Sequence, residues 1–267
     1  VLWKRILGDV RRSRLRVQAN PEDLNAAGAG VLEEFLQFGR RECPAERYVV
    51  SFYGHAYGPF GLFYDRATGE REAVTLRLND LAGSIRAVDG RAAVIVFRDC
   101  FMNTLETAYQ LRGIGEFMIA TQAEAPIAGV WPWLNFMAAL LPGAASPDVA
   151  RALAVQLSAF LEVPDNRGPY ADVPYSLIDL DAAEAVAAPL AALTDALTDA
   201  RADPRRRAAC STALEAARVG EAGNPKQPGD PALIDVPTLC ERLETAGGGD
   251  RVAASAKALG AVVRDRL

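Results

Sequence analysis

The sequence holds a single histidine, His55, in 267 residues. Any site that needs two imidazoles from this chain is therefore excluded, and any imidazole base has to be His55. Cysteine is scarce as well. Cys43, Cys100, Cys210 and Cys240 are widely and irregularly spaced, with no CxxC pair and no zinc pattern. So few cysteines do not make a disulfide framework, and they are expected to be free thiols of an intracellular, cytoplasmic protein. There is no basic excess: the formal net charge of -5 argues against nucleic acid as a partner. Two local runs, Arg11-Arg12 with Arg14 and Arg16, and Arg205-Arg206-Arg207, read as solvated faces. Long apolar runs are missing too, so no membrane span is expected. No signal peptide is visible in a chain that starts at Val1.

What is present is an ordinary globular composition, 50% hydrophobic and 24% charged, in a chain long enough for one large core or two small ones. Segment 13–18 alternates like a strand, and Asn20-Pro21 looks like a helix start. Val31, Leu32, Phe35, Leu36 and Phe38 share one broad helical face, which Cys43-Pro44 terminates. YVVSFY (48–53) reads as a buried strand that stops at Gly54-His55-Ala56-Tyr57-Gly58-Pro59. Residues 61–76 read as two short strands around a turn near Ala67-Thr68-Gly69. Leu78, Leu81, Ile85 and Val88 then space like a helix, and AAVIVF (92–97) is a strand covered on both faces. A helix over 103–112, a strand over 116–121 and a loop with Pro126, Gly129, Trp131 and Trp133 follow.

Strands alternating with helices argue a mainly parallel α/β sheet. The second half is Ala-rich and helical (146–161, 181–202, 205–218, 236–246, 250–266), with one strand near 175–179 and a Gly/Pro-rich excursion over 219–233. The expected organisation is an α/β core over 1–145 and a helix-rich second half over 146–267 packed on it.

In open α/β sheets, chemistry gathers beyond the carboxyl ends of the strands. Two apolar strands here end in reactive side chains, YVVSFY-G-His55 and AAVIVF-RD-Cys100. Paired in parallel, they bring imidazole and thiol to one sheet edge. A helix starting near Asn103 is expected to aim its dipole at Cys100 and favour the thiolate. The backbone N–H groups of Ala56 or Tyr57, and of Cys100, are candidates for an oxyanion hole. A lone cysteine at a strand end is more often a small buried hydrophobe. The joint placement of histidine and cysteine, about 45 residues apart as in caspase-type spacing, is what raises the catalytic reading.

On these landmarks the chain resembles the clostripain family of cysteine peptidases, which share a caspase-like fold: a mainly parallel sheet flanked by helices. The resemblance rests on VLEEFLQFGRRECPAERYVVSFYGHAYG, on VIVFRDCFMNTLETAYQLRGIGEFMIATQAEAPIAGVWPW, and on YSLIDLDAAEAV with IDVPTLCERL. It implies a cysteine endopeptidase in which Cys100 attacks the scissile carbonyl to form an acyl-enzyme, with His55 as proton carrier. Protein or peptide substrates are implied. So is an activating protease that cuts between the histidine and cysteine strands, where Arg66 and Arg71 in DRATGERE (65–72) are the candidates. Segments before Val1 and after Leu267 are also expected from it. Calcium assists some relatives, yet the sequence has no EF-hand loop or dense carboxylate cluster; no cofactor or metal is expected.

The sequence departs from the family where specificity is set. Relatives usually carry Asp two residues before the cysteine, selecting a basic P1 residue. Here that position is Arg98, and Asp99 follows one residue later. Side chains alternate along a strand, so Asp99 is expected on the other face, which opens the pocket to an acidic P1. A local bulge returning Asp99 to the pocket, or a charge from Glu124, keeps a basic P1 open. Thr121-Gln122 stands where relatives tend to have Ser-Glu, on the substrate side. Arg98, Asp99, Thr121, Gln122 and Glu124 are thus the S1 candidates. Ala56 replaces the glycine usual after the histidine. The competing reading is a catalytically weak caspase-like module that binds proteins. A nucleotide-binding domain is disfavoured because Gly28-Ala29-Gly30 follows no strand and no Walker lysine appears.

Overall fold

The computed structural model describes residues 27–65, 74–88, 91–125, 136, 143–167, 174–219 and 233–267. The strand read at 13–18, the Asn20-Pro21 helix start, the turn with Arg66 and Arg71, the loop with Trp131 and Trp133, and residues 220–232 lie outside them.

Helix α1 (Ala29–Glu42) ends where the Cys43 N–H bonds the Gly39 carbonyl at 2.9 Å and Pro44 cannot prolong it. Its apolar face is narrower than its sequence suggests. Leu32 is buried and Leu36 packs against the core, but Phe35 and Phe38 are 67% and 45% exposed. At 3.6 residues per turn Phe35 sits about 60–100° and Phe38 about 120–160° round the helix from the two leucines. The helix packs on α2 (Leu78–Ala87), where the Ser84 hydroxyl donates to the Ala29 carbonyl at 3.0 Å.

Strand β1 (Val49–Phe52) follows, then the hairpin β2 (Leu62–Asp65) and β3 (Val74–Leu76), helix α2 (Leu78–Ala87), strand β4 (Ala92–Phe97), helix α3 (Leu105–Leu111) and strand β5 (Gly115–Thr121). Helix α4 (Ser146–Glu162), the short α5 (Pro164–Arg167) and strand β6 (Tyr175–Asp179) come next. The chain closes with α6 (Glu184–Ala200), α7 (Pro204–Ala216), a two-residue pair β7 (Arg218–Val219) and β8 (Leu233–Ile234), α8 (Val236–Thr245) and α9 (Asp250–Arg266). Asp203 and Asp235 cap α7 and α8, accepting the Arg205 and Thr238 N–H groups at 2.8 Å each, with Pro204 and Pro237 in the first turns.

The main sheet has the order β1-β4-β5-β6, its first three strands parallel and β6 antiparallel to β5. All six residues of β4 are buried because both faces are covered. Ile95 and Phe97 join a core with Leu81 and Ile85 of α2 and Leu111 of α3. Val94 and Val96 join another with Val149, Leu153 and Leu157 of α4 on the opposite face. Each such side chain contributes about 1.5–3 kcal/mol on burial, which fixes the strands whose ends carry the site. A third apolar cluster lies among α6 to α9, around Leu193, Cys210, Cys240, Leu243 and Leu259.

Candidate active site

The register of β1 on β4 places the two reactive side chains. Phe52 pairs with Phe97, and their rings stack with centroids 5.4 Å apart. His55 lies three residues past Phe52, and Cys100 three past Phe97, so both leave the sheet at its carboxyl edge from adjacent parallel strands. The last bond of the ladder, from the Arg98 N–H to the Phe52 carbonyl at 2.9 Å, carries the alignment beyond the strands.

Around His55 the chain is built tightly. The His55 carbonyl accepts the Phe63 N–H at 2.9 Å, and the Tyr57 N–H donates to the Gly61 carbonyl at 2.9 Å. These bonds flank the bridge between Ala56 and Leu62. Tyr57 is therefore committed as a donor, whereas the bridge leaves the Ala56 N–H unused; of the two oxyanion donors expected on this loop, Ala56 is the one available. At Gly54 a Cβ would meet the Phe63 ring at 2.9 Å, so a larger residue there would have to displace that ring. Gly58 has φ +60, and a Cβ there would meet the Phe101 carbonyl at 3.0 Å. Phe63 and Phe101 themselves adopt left-handed φ of 58° and 59°, strain that the surrounding bonds hold at the rim of this edge. The His55 side chain is exposed.

Cys100 is half-buried, and its Sγ accepts the Ala125 N–H at 3.3 Å. The expectation that a helix dipole lowers its pKa is corrected. Helix α3 starts two residues later than read, at Leu105, capped by Thr104 accepting the Thr107 N–H at 3.1 Å. Burial pushes the Cys100 thiol above its ordinary value; the Ala125 N–H opposes this, and the charges of Glu124 and Asp99 add to it.

The S1 candidates separate. Arg98 is only 7% exposed, its guanidinium 4.3 Å from the centroid of the Tyr53 ring. Burial lowers its pKa, while Tyr53, Tyr175 and Asp99 hold it up. Asp99 is fully buried against Gly54, its Oδ1 3.5 Å from the position a Gly54 Cβ would take. Thr121 is buried too, and its hydroxyl accepts the Ala123 N–H at 3.1 Å. Gln122 turns to a cleft of about 470 Å³ shared with Asn103, Ser176, Leu233 and Leu267, which neither His55 nor Cys100 lines. Glu124 is exposed, close enough for its charge to act on Cys100.

Sequence reasoning missed Tyr175. It opens β6 opposite Thr121, at the edge where β4 and β5 end, and its pKa is raised by burial and then by the neighbouring Cys100. An antiparallel strand starts where its parallel neighbours finish; that topology was the one available signal, and it needs the strand order. Among the described residues, no group of three or more His, Cys, Asp or Glu is placed to hold a metal ion. None of the described helices is long and apolar enough to cross a membrane.

A covered, mainly parallel sheet with histidine and cysteine leaving neighbouring strands at its carboxyl edge defines a caspase-like fold. Residues 9–219 match the clostripain family, peptidase C11, and the chain belongs to that family. The fold agrees with solved relatives. An inactive zymogen C11 protease from Parabacteroides distasonis superposes with a TM-score of 0.63 at 19% identity, over 93% of this chain and 62% of its own. A secreted C11 cysteine protease from Bacteroides thetaiotaomicron, solved with an irreversible peptide inhibitor, gives 0.52 at 22% identity, over 62% of this chain and 49% of its own. The chain spans 49% to 62% of the length of these relatives. No curated protein matches it.

Proposed function

We propose that the chain is a cysteine endopeptidase in which Cys100 and His55 form the catalytic pair. The observation that carries this reading is the register of β1 on β4, which sets the only imidazole and a half-buried thiol three residues past a stacked phenylalanine pair. His55 takes the Sγ proton as sulfur bonds to the scissile carbonyl carbon. The carbonyl electron pair moves onto oxygen, which the N–H groups of Ala56 and Cys100 stabilise. Collapse breaks the C–N bond, and His55 returns the proton to the departing amine. Water activated by His55 then cleaves the thioester and restores the thiol.

The P1 residue in this reading is basic. Asp99 is sealed in the interior, and Arg98 is buried against Tyr53 beside that carboxylate. Glu124 is the exposed anion beside the thiol and supplies the charge that selects Lys or Arg. Activation follows cleavage between the histidine and cysteine strands, at Arg66 or Arg71. The desolvated, protonated thiol supports a resting state that requires such a step.

The test is cleavage of a peptide library with Lys, Arg, Asp or Glu at P1, before and after limited proteolysis. Cleavage after Lys and Arg that disappears in Cys100→Ala and His55→Ala is expected. Cleavage that survives Cys100→Ala overturns the assignment, and no cleavage in any state favours the protein-binding module.

A further inference from the structure

Asp99 is a buried ionisable group that the peptide-bond chemistry above does not use. It precedes Cys100 directly, as Gly54 precedes His55, and the two residues face each other two positions beyond the last β1–β4 pair, with the Asp99 Oδ1 3.5 Å from where a Gly54 Cβ would stand. Asp99 has no exposed surface, and neither carboxyl oxygen closes a well-aligned hydrogen bond. The Gly54 N–H faces the carboxyl from the β1 side. The Phe63 ring and the Asp99 carboxyl lie on the same side of Gly54, 2.9 Å and 3.5 Å from the position a Cβ would take. The ionisable groups around Asp99 are Arg98 and Cys100 on its own strand end and Tyr175 on β6.

We propose that Asp99 is a positioning residue: as a carboxylate it draws the Gly54 N–H into a charge-assisted hydrogen bond and so seats the His55 loop against Cys100. This inference rests on the Cys100–His55 reading and adds to it a residue that acts through His55 rather than on the substrate. Charge makes such a bond markedly stronger than a neutral one. Burial pushes Asp99 up to about 7, with Arg98 and the Gly54 N–H acting against it. The latch is therefore engaged above neutral pH and released as pH falls through 7. Ionised Asp99 also has an opposite, through-space effect, because its charge disfavours the Cys100 thiolate. The two effects are separable, because only the first passes through His55.

The experiment is a double-mutant cycle read on iodoacetamide alkylation of Cys100, quantified by peptide mass spectrometry with exposed Cys43 as internal reference. Asp99→Asn keeps the shape and removes the charge. With His55 present it is expected to slow Cys100 alkylation at pH 8 by about threefold to tenfold. In the His55→Ala background the slowing disappears, and the rate is unchanged or raised. In the wild type, the Cys100-to-Cys43 ratio gains an inflection near pH 7 that Asp99→Asn lacks. Equal effects of Asp99→Asn in both backgrounds, or a wild-type ratio without that inflection, overturn the latch and leave the catalytic pair standing. If His55→Ala alone leaves Cys100 alkylation unchanged, the catalytic pair fails, and the latch fails with it.

Discussion

Two regions of the molecule bury cysteine. In the helical cluster of the second half, Cys210 and Cys240 lie among alanine, leucine and valine side chains. Cys240 is pushed up to about 11 by burial, with Glu244 adding to the shift and the Gly260 N–H and Arg264 opposing it. At the sheet edge, Cys100 is also raised by burial, with Arg98, Asp99, Glu124 and Tyr175 near it and the Ala125 N–H on its sulfur. Neither desolvation, nor charged neighbours, nor an N–H on sulfur therefore separates Cys100 from Cys240. What separates them is an imidazole leaving the next strand beside Cys100.

The largest effect that can break this contrast is substitution of the cysteines themselves. Cys100→Ala should lower kcat/KM by at least about 10³-fold while leaving stability within ~1 kcal/mol. Cys210→Ala and Cys240→Ala should do the reverse: activity per folded molecule unchanged, and stability lowered by about 1–2 kcal/mol for the cavity each leaves. Chemical denaturation paired with peptide cleavage reads both, and a catalytic loss from either helical cysteine contradicts the contrast.

A smaller effect concerns charge at the same edge. Glu124→Gln should reduce the preference for Lys or Arg at P1 by about tenfold, mostly through KM, because a screened surface charge acts on binding more than on chemistry. An unchanged profile removes Glu124 from S1.

A third effect is on stability. Asp99 binds its proton more tightly folded than unfolded, since its pKa rises from 3.8 to about 7. Between those values the folded state holds more protons, so stability falls as pH rises through that range. Asp99→Asn should therefore raise the Tm at pH 8 and leave it nearly unchanged at pH 4. A Tm gain that is equal at both pH values contradicts this sign.

Much of the fold was legible because its strands are short apolar runs between glycine, proline and charge. AAVIVF is a continuous apolar run typical of a strand covered on both faces, and the apolar run YVVSFY stops at Gly54-His55. The family resemblance followed from the order of those landmarks. Less legible were features that depend on three-dimensional neighbours. Phe35 and Phe38 looked like core by periodicity, but among the described residues both are left exposed beside the buried Leu32. The dipole at Cys100 was inferred from a helix start two residues too early, where Thr104 takes the cap. Arg98 and Asp99 were placed on different faces by strand alternation, but nothing in the sequence told that both would be buried. Tyr175 stayed invisible because its place beside Cys100 depends on β6 running antiparallel beside β5.

Cys100 as the nucleophile that His55 serves is the central proposal. An acyloxymethyl-ketone probe carrying a P1 lysine, followed by peptide mapping, tests this most directly. The expected result is a single covalent adduct on Cys100, lost in His55→Ala although Cys43 stays exposed in both proteins. Equal labelling of Cys43 and Cys100, or labelling of Cys100 that persists without His55, contradicts it.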